Sequence, residues 1–224
     1  MRLLSRRAPA QRLDARVIHQ VAAWCLGYPD RQLFERLDLM QAALAEQPPG
    51  EPAQALQRFL AHAAATDRAD LAQHYTDVFD LSRKQTLYLS YWSAGDTRRR
   101  GAVLAEFKQY YRDSGFLVDL HGELPDHLPI VLEFAALADP VRGTEALSDN
   151  RPALELIKFA LADVDSPYTD VLAAVCATLP GQSPPDRAAA LAMASPPDPE
   201  TVGLASSDPR LLPLFTSNGD KVYR

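Results

Sequence analysis

Apolar residues recur at helical spacing through most of the chain, and the polar residues between them mark where each helix begins and ends. Leu13, Val17, Ile18, Val21, Trp24 and Cys25 form one stripe that stops at Gly27 and Pro29. Asp30 caps a second helix through Leu33, Phe34, Leu37 and Leu44. After a loop at Pro48 to Pro52, a third carries Leu56, Phe59 and Leu60. Asp67 opens a fourth, with Leu71, Tyr75, Val78 and Phe79 inward. Ser82 to Gln85 has the Ser-x-x-Gln form of a capping box and predicts a helix through Thr86 to Trp92, stopped by Gly95. Residues Leu87 to Tyr91 offer the one weak alternation of strand type, which the capping box outweighs. Asp96 or Thr97 caps the next helix, whose stripe is Val103, Leu104, Phe107 and Tyr111 and whose end is Gly115. Arg98, Arg99 and Arg100 fall in its first turn, where cations oppose the helix dipole by a few tenths of a kcal/mol each. Some of them are therefore expected to have carboxylate or ligand partners. Asn150 with Pro152 starts a helix carrying Leu154, Ile157 and Leu161. Ser166 with Pro167 starts another, carrying Tyr168, Val171, Leu172, Val175 and Leu179.

The stretch Glu123-Leu-Pro-Asp-His-Leu-Pro-Ile-Val-Leu-Glu-Phe134 departs from this plain pattern. Proline fits only the first turn of a helix, so Pro129 places the start close to Asp126. With Asp126 as N-cap, its carboxylate would accept from the Leu128 N–H. On that register Leu128, Val131, Leu132 and Ala135 share one face, and Asp126, Ile130, Glu133 and Leu137 share the opposite one. A face mixing carboxylates with large aliphatics suits a basic, amphipathic peptide. The plainer reading, a central helix with both faces in the core, fits the same wheel.

Together these signals predict an all-α bundle. The domain covers residues 13–180, a basic arm covers 1–12 and a Pro-rich tail covers 181–224. Eight of the eighteen prolines lie beyond Leu179, and only one short helical patch, near Asp186 to Ala194, interrupts them. The tail lacks a long apolar stripe and is expected to add little to the core, with Leu211 to Phe215 as its one apolar anchor. The net charge is −6; residues 1–16 hold five arginines and one aspartate, so the rest carries −10. An acidic body excludes a nucleic-acid footprint and favours basic or neutral partners. The two cysteines, Cys25 and Cys176, lie among apolar residues and form no Cys-x-x-Cys pair, which points to buried reduced thiols. No apolar run is long enough for a membrane span. Arg6-Arg7 superficially echoes a twin-arginine signal, but no apolar region follows.

Catalytic chemistry finds little support. His121, Glu123, Asp126, His127 and Glu133 crowd together, yet no His-x-x-x-His pair or thiolate accompanies them. Asp126 and His127 are adjacent on a helix and do not face one another. A partly buried, hydrogen-bonded His127 is the ordinary outcome. No glycine-rich phosphate loop is present, and no cofactor is expected. Tyr111 belongs to the core by its stripe, whereas Trp92, near a helix end, suits an interface.

The chain resembles the NarJ-type nitrate reductase assembly chaperones, within the wider TorD-like family of redox-enzyme maturation proteins. The matching residues are Leu26-Gly27-Tyr28-Pro29-Asp30, His74-Tyr75-Thr-Asp-Val-Phe79-Asp80, Leu87-Tyr-Leu89, Gly95 through Gly101 with Arg98 and Arg100, and Glu123-Leu-Pro-Asp-His-Leu-Pro129 with Leu132-Glu133. It covers roughly residues 15 to 180. Ser90 to Ala94 departs from the His-containing stretch of the family, so no histidine role carries over there. The resemblance implies a non-enzymatic, cytoplasmic chaperone. Such a protein binds the N-terminal leader of a nitrate reductase catalytic (alpha) subunit, assists molybdenum cofactor insertion and delays membrane docking. The expected docking residues are Glu123, Asp126, His127, Ile130, Glu133 and Leu137. Trp92, Arg98 and Arg100 are expected beside them. The alternatives are a chaperone for a trimethylamine oxide or dimethyl sulfoxide reductase, and a small metal-dependent hydrolase built on His121, His127 and the nearby acids.

Overall fold

The computed structural model describes residues 12–95 and 98–194. The basic arm up to residue 11, the capping residues Asp96 and Thr97, and the anchor Leu211 to Phe215 lie outside the described residues. Within them the protein is helical, with no strand. The helices are α1 (Ala15–Leu26), α2 (Arg31–Ala45), α3 (Glu51–Ala65), α4 (Arg68–Tyr75), α5 (Leu89–Ala94), α6 (Arg99–Asp113), α7 (Leu128–Glu133), α8 (Pro140–Asp149), α9 (Arg151–Ala162), α10 (Tyr168–Thr178) and α11 (Arg187–Met193).

The Asp caps expected for α2 and α4 form: Asp30 and Asp67 accept from backbone N–H groups in the first turns of these helices, and Asp14 does the same for α1. Asp186 does the same for α11, so the helical patch in the Pro-rich tail is real. Helix α1 is central and packs on α2, α3, α7 and α10. Its Ile18, Ala22, Cys25 and Leu26 are fully buried, as are Leu56, Phe59 and Leu60 of α3 and Val171, Leu172 and Val175 of α10. Burial pushes the Cys176 thiol up to about 12 and the Cys25 thiol higher still, so both are inert packing groups.

Three local features differ from expectation. Helix α8 was not signalled by an apolar stripe; Asp139 caps it through the Val141 and Arg142 N–H groups, with Pro140 in its first turn. The Ser82 capping box closes only a single 3₁₀ turn, Arg83–Gln85, in which Ser82 Oγ accepts from the Lys84 N–H. The chain then runs extended through Thr86 to Tyr88 before α5 begins. The extended stretch is held by an antiparallel bridge between Tyr88 and His127, with Leu128 N–H to Leu87 O at 2.9 Å and Leu89 N–H to Asp126 O at 3.2 Å. Finally, α4 and α7 each pass into a wider π turn, Thr76–Asp80 and Phe134–Ala138, closed by Leu81 N–H to Thr76 O and Asp139 N–H to Phe134 O. Such turns recur at functional positions.

Candidate functional site

The 116–138 region meets the start of α5 and α6 in a polar junction. Asp126 is at its centre and is 0% exposed. Its carboxylate accepts from the Ser90 N–H at 2.8 Å and from Ser90 Oγ at 2.6 Å. The expected N-cap is thus a cap, but of α5 rather than of its own helix. The Leu128 N–H meant for it goes to Leu87 O, and His127 takes the N-cap position of α7. The reason is the bridge between Tyr88 and His127, which draws the Asp126 side chain across to the neighbouring helix start. Arg100 donates its Nε–H to Ser90 Oγ at 3.1 Å, so its charge answers the buried carboxylate across one hydroxyl. A cation in the first turn of α6 is thereby used internally. Asp126 is thus turned inward, away from the outer face on which the helical register placed it.

Glu123 and His127 surround the same junction. Tyr88 donates its hydroxyl to Glu123, and the Tyr88 ring lies 5.2 Å from the His127 ring. Burial, with the Glu123 bond, pushes the Tyr88 hydroxyl up to about 12. Burial lowers His127, against the pull of Glu123 and Asp126, so it is a neutral imidazole at neutral pH. Tyr111 closes the underside by donating to Pro125 O at 2.6 Å, in agreement with its core assignment.

The rest of the outer face is accessible at Glu133 and Leu137, while Ile130 is buried at the groove floor. Ile130, Glu133 and Leu137 line a groove of about 290 Å³ together with Phe116, Leu117 and Val118. Leu137 is 61% exposed and Glu133 is exposed beside it. The opposite face of α7, with Leu128, Val131 and Leu132, is fully buried. The helix is therefore two-faced as its sequence indicates, with Asp126 turned inward and Ile130 buried in the small cluster with Tyr111 and Phe134. Phe116 and Leu117 were missed. Two bulky apolar residues directly after the helix stop at Gly115, in a segment with no helical register, were the available signal.

The other expected residues are not gathered there. Trp92 donates to Thr86 O at 3.0 Å, packs on the main core and lines a separate cavity of about 620 Å³ with Tyr91, Leu156 and Leu191. Arg98 is exposed at the N-terminus of α6. Among the described residues no three His, Cys, Asp or Glu side chains are grouped to hold a metal ion. No helix among them is long and apolar enough to cross a membrane.

The chain is similar to known proteins. Residues 43–174 match the family model described as the nitrate reductase delta subunit. The chain is 38% identical over 162 residues, 72% of its length, to the nitrate reductase-like protein NarX of Mycobacterium tuberculosis, of which it spans 24%. It is 30% identical over 166 residues to a protein of Bacillus subtilis described as a nitrate reductase molybdenum cofactor assembly chaperone, NarJ, covering 74% of this chain and 90% of that one. Against NarJ of Escherichia coli, the chaperone of the same description, identity is 33% over 145 residues, covering 64% and 61%. In three dimensions, an Archaeoglobus fulgidus protein described as a redox enzyme maturation protein shares the fold. The TM-score is 0.55 at 22% identity, covering 80% of this chain and 98% of that one.

Proposed function

The chain belongs to the nitrate reductase delta subunit family, and we propose that it is an assembly chaperone for a nitrate reductase rather than an enzyme. It binds the apo catalytic (alpha) subunit in the cytoplasm through the N-terminal leader, while the molybdenum cofactor is inserted and before membrane docking. The helical domain performs this role. The observation that carries the docking mode is the exposed groove at Ile130, Leu137 and Phe116 with Glu133 on its rim. A helical peptide with aliphatic anchors fits such a groove, and a basic residue beside them pairs with Glu133. The chemistry asked of the protein is binding alone. Affinity comes from apolar area removed from water, and orientation comes from the rim charge.

Calorimetric titration of the leader peptide tests this. Glu133→Gln is expected to weaken binding by up to about fivefold, the range of an exposed ion pair. Added salt should weaken the wild-type complex more than the Glu133→Gln complex, because screening acts on the charge the variant lacks. Asp126→Asn should leave the affinity unchanged and lower the melting temperature, since its target is α5. A leader that binds equally well to wild type and to Glu133→Gln at low salt, with the same salt dependence, would remove the groove from the docking surface.

A further inference from the structure

The two walls of the groove differ in how firmly they are built. One wall is α7 with its π turn, continuous with the main core through Leu128, Val131, Leu132 and Ala135. The other is the segment 116–121. It rests on a small separate cluster, in which Val118 and Leu120 cover Tyr111, Ile130 and Phe134. Its hydrogen bonds are local. The Phe116 N–H donates to Ser114 Oγ at 3.2 Å, the His121 N–H to Asp119 Oδ1 at 2.9 Å, and the Glu123 N–H to Leu120 O at 2.8 Å. Among the described residues, 116–121 makes no hydrogen bond to α6, α7 or the π turn. Two glycines in left-handed conformations bound it, Gly115 at φ +74° and Gly122 at φ +86°. A Cβ at either would meet nothing within 4 Å, so these glycines serve the backbone conformation rather than the space around them. Phe116 is 56% exposed and Leu117 fully exposed at the open side of the groove, and no contact among the described residues explains two adjacent large apolar side chains there.

We propose that residues 116–121 are a flap that closes over the docked segment, turning on Gly115 and Gly122 and bringing Phe116 and Leu117 down onto it. The proposal rests on the peptide-docking reading above. The occupant is a basic amphipathic helix. Asp119 and Glu133 stand on opposite rims of the groove and both are exposed. Arg142, a nearby cation, is paired with Asp113 and Asp139. An apolar channel between two acidic rims selects aliphatic anchors flanked by lysine or arginine. Opening costs little, because only the packing of Val118 and Leu120 is given up. Closure recovers it and adds the burial of two large side chains that water now covers. The flap therefore governs how long the peptide stays more than how fast it arrives.

Hydrogen exchange on the full chain tests this, with and without a synthetic peptide of the N-terminal segment of a nitrate reductase catalytic subunit. The amides of residues 117–121 are expected to exchange at least about tenfold more slowly in the complex. Leu117→Ser should shorten the lifetime of the complex about tenfold, as expected for losing a leucine from the interface. It should leave the melting temperature unchanged, because Leu117 is exposed in the free protein. If the peptide binds while exchange at 117–121 stays the same, or if it leaves Leu117→Ser at the wild-type rate, the flap is wrong and the docking groove stands. If the peptide does not bind the wild-type chain, the docking reading fails and the flap falls with it.

Discussion

His19 shows how single buried polar groups set the conditions under which this protein is stable. It lies on α1 inside the bundle, 1% exposed, with Nε2 bonded to Thr178 Oγ1 at 2.9 Å. Its Nδ1 has no partner among the described residues. Burial, opposed by the Asp14 carboxylate, pulls its pKa down to about 4. The unfolded chain takes up this proton near pH 6.5, whereas the folded chain resists it until about pH 4. Stability contributed by neutral His19 is therefore complete above pH 6.5 and is lost as the pH falls from 6.5 toward 4, amounting to about 3 kcal/mol over that window. Urea denaturation at pH 7.5 and pH 5 checks this. The wild type should lose about 2 kcal/mol more than His19→Gln between the two, and parallel losses would show that His19 is not the sensitive group. Asp126 makes the complementary point. A carboxylate among apolar residues at a helix start was read as a surface feature because its own helix offered it a place as cap. The structure spends it on a second helix, a pairing that depends on the Tyr88–His127 bridge and is invisible to any one-helix register.

At the scale of elements, packing tolerances decide more than propensity. Helix α8 crosses the π turn after α7 so closely that a Cβ on Gly143 would lie 2.3 Å from Ala135 Cα and 2.4 Å from its Cβ. Gly143→Ala must therefore push two helices apart, at about 1–3 kcal/mol. Gly101, in the first turn of α6, has nothing within 4 Å of its ideal Cβ and no positive φ. There the same substitution should stabilise by roughly 0.5–1 kcal/mol, because alanine loses less backbone freedom. Melting curves of the two variants should move in opposite directions, and a neutral Gly143→Ala would mean that α8 is loosely held. The same residue explains why α8 was not foreseen. Its buried positions are Gly143, Ala146 and Leu147, two of them too small to register as an apolar stripe. Helices with large inward residues, such as α1, α3 and α10, were legible from spacing alone, and the Asp caps expected for α2 and α4, Asp30 and Asp67, formed as expected. The outer face of α7 was legible for Ile130, Glu133 and Leu137, whose side chains answer to their own helix. What escaped does not follow from a single helix's register: the Asp126 cap, which answers to Ser90 in another helix, the π turns, and the wall at Phe116 and Leu117.

For the whole molecule, the question is where the folded unit ends. The Pro-rich composition beyond Leu179 suggested a tail that adds little, yet its first residues are fastened to α9. Glu155 is fully buried and accepts from Arg151 at 3.3 Å, from Lys158, and from Ser183 Oγ at 2.7 Å. Arg151, also buried, donates to the carbonyls of Leu179 and Pro180. Farther on, Ala190 of α11 is fully buried against α9, and Arg187 pairs with Asp163 at 2.5 Å. Residues 180–194 thus close the outer side of α9 and supply one of the donors that make a buried carboxylate tolerable. A chain ending at Leu179 places its new carboxylate beside Arg151, which offsets part of the loss. The cleaner test is Ser183→Ala in a chain ending at Ala194. Removing that hydroxyl leaves Glu155 short of one donor at a cost of about 1.5–3 kcal/mol, the range for hydrogen bonds to charged groups. The cut at Leu179 removes the same donor together with the α11 contacts, so it should cost at least as much. Urea midpoints of the three chains order as Ala194-ended, then Ser183→Ala, then Leu179-ended, if the segment belongs to the fold. Equal midpoints would place the boundary at Leu179 and return residues 180–194 to the tail.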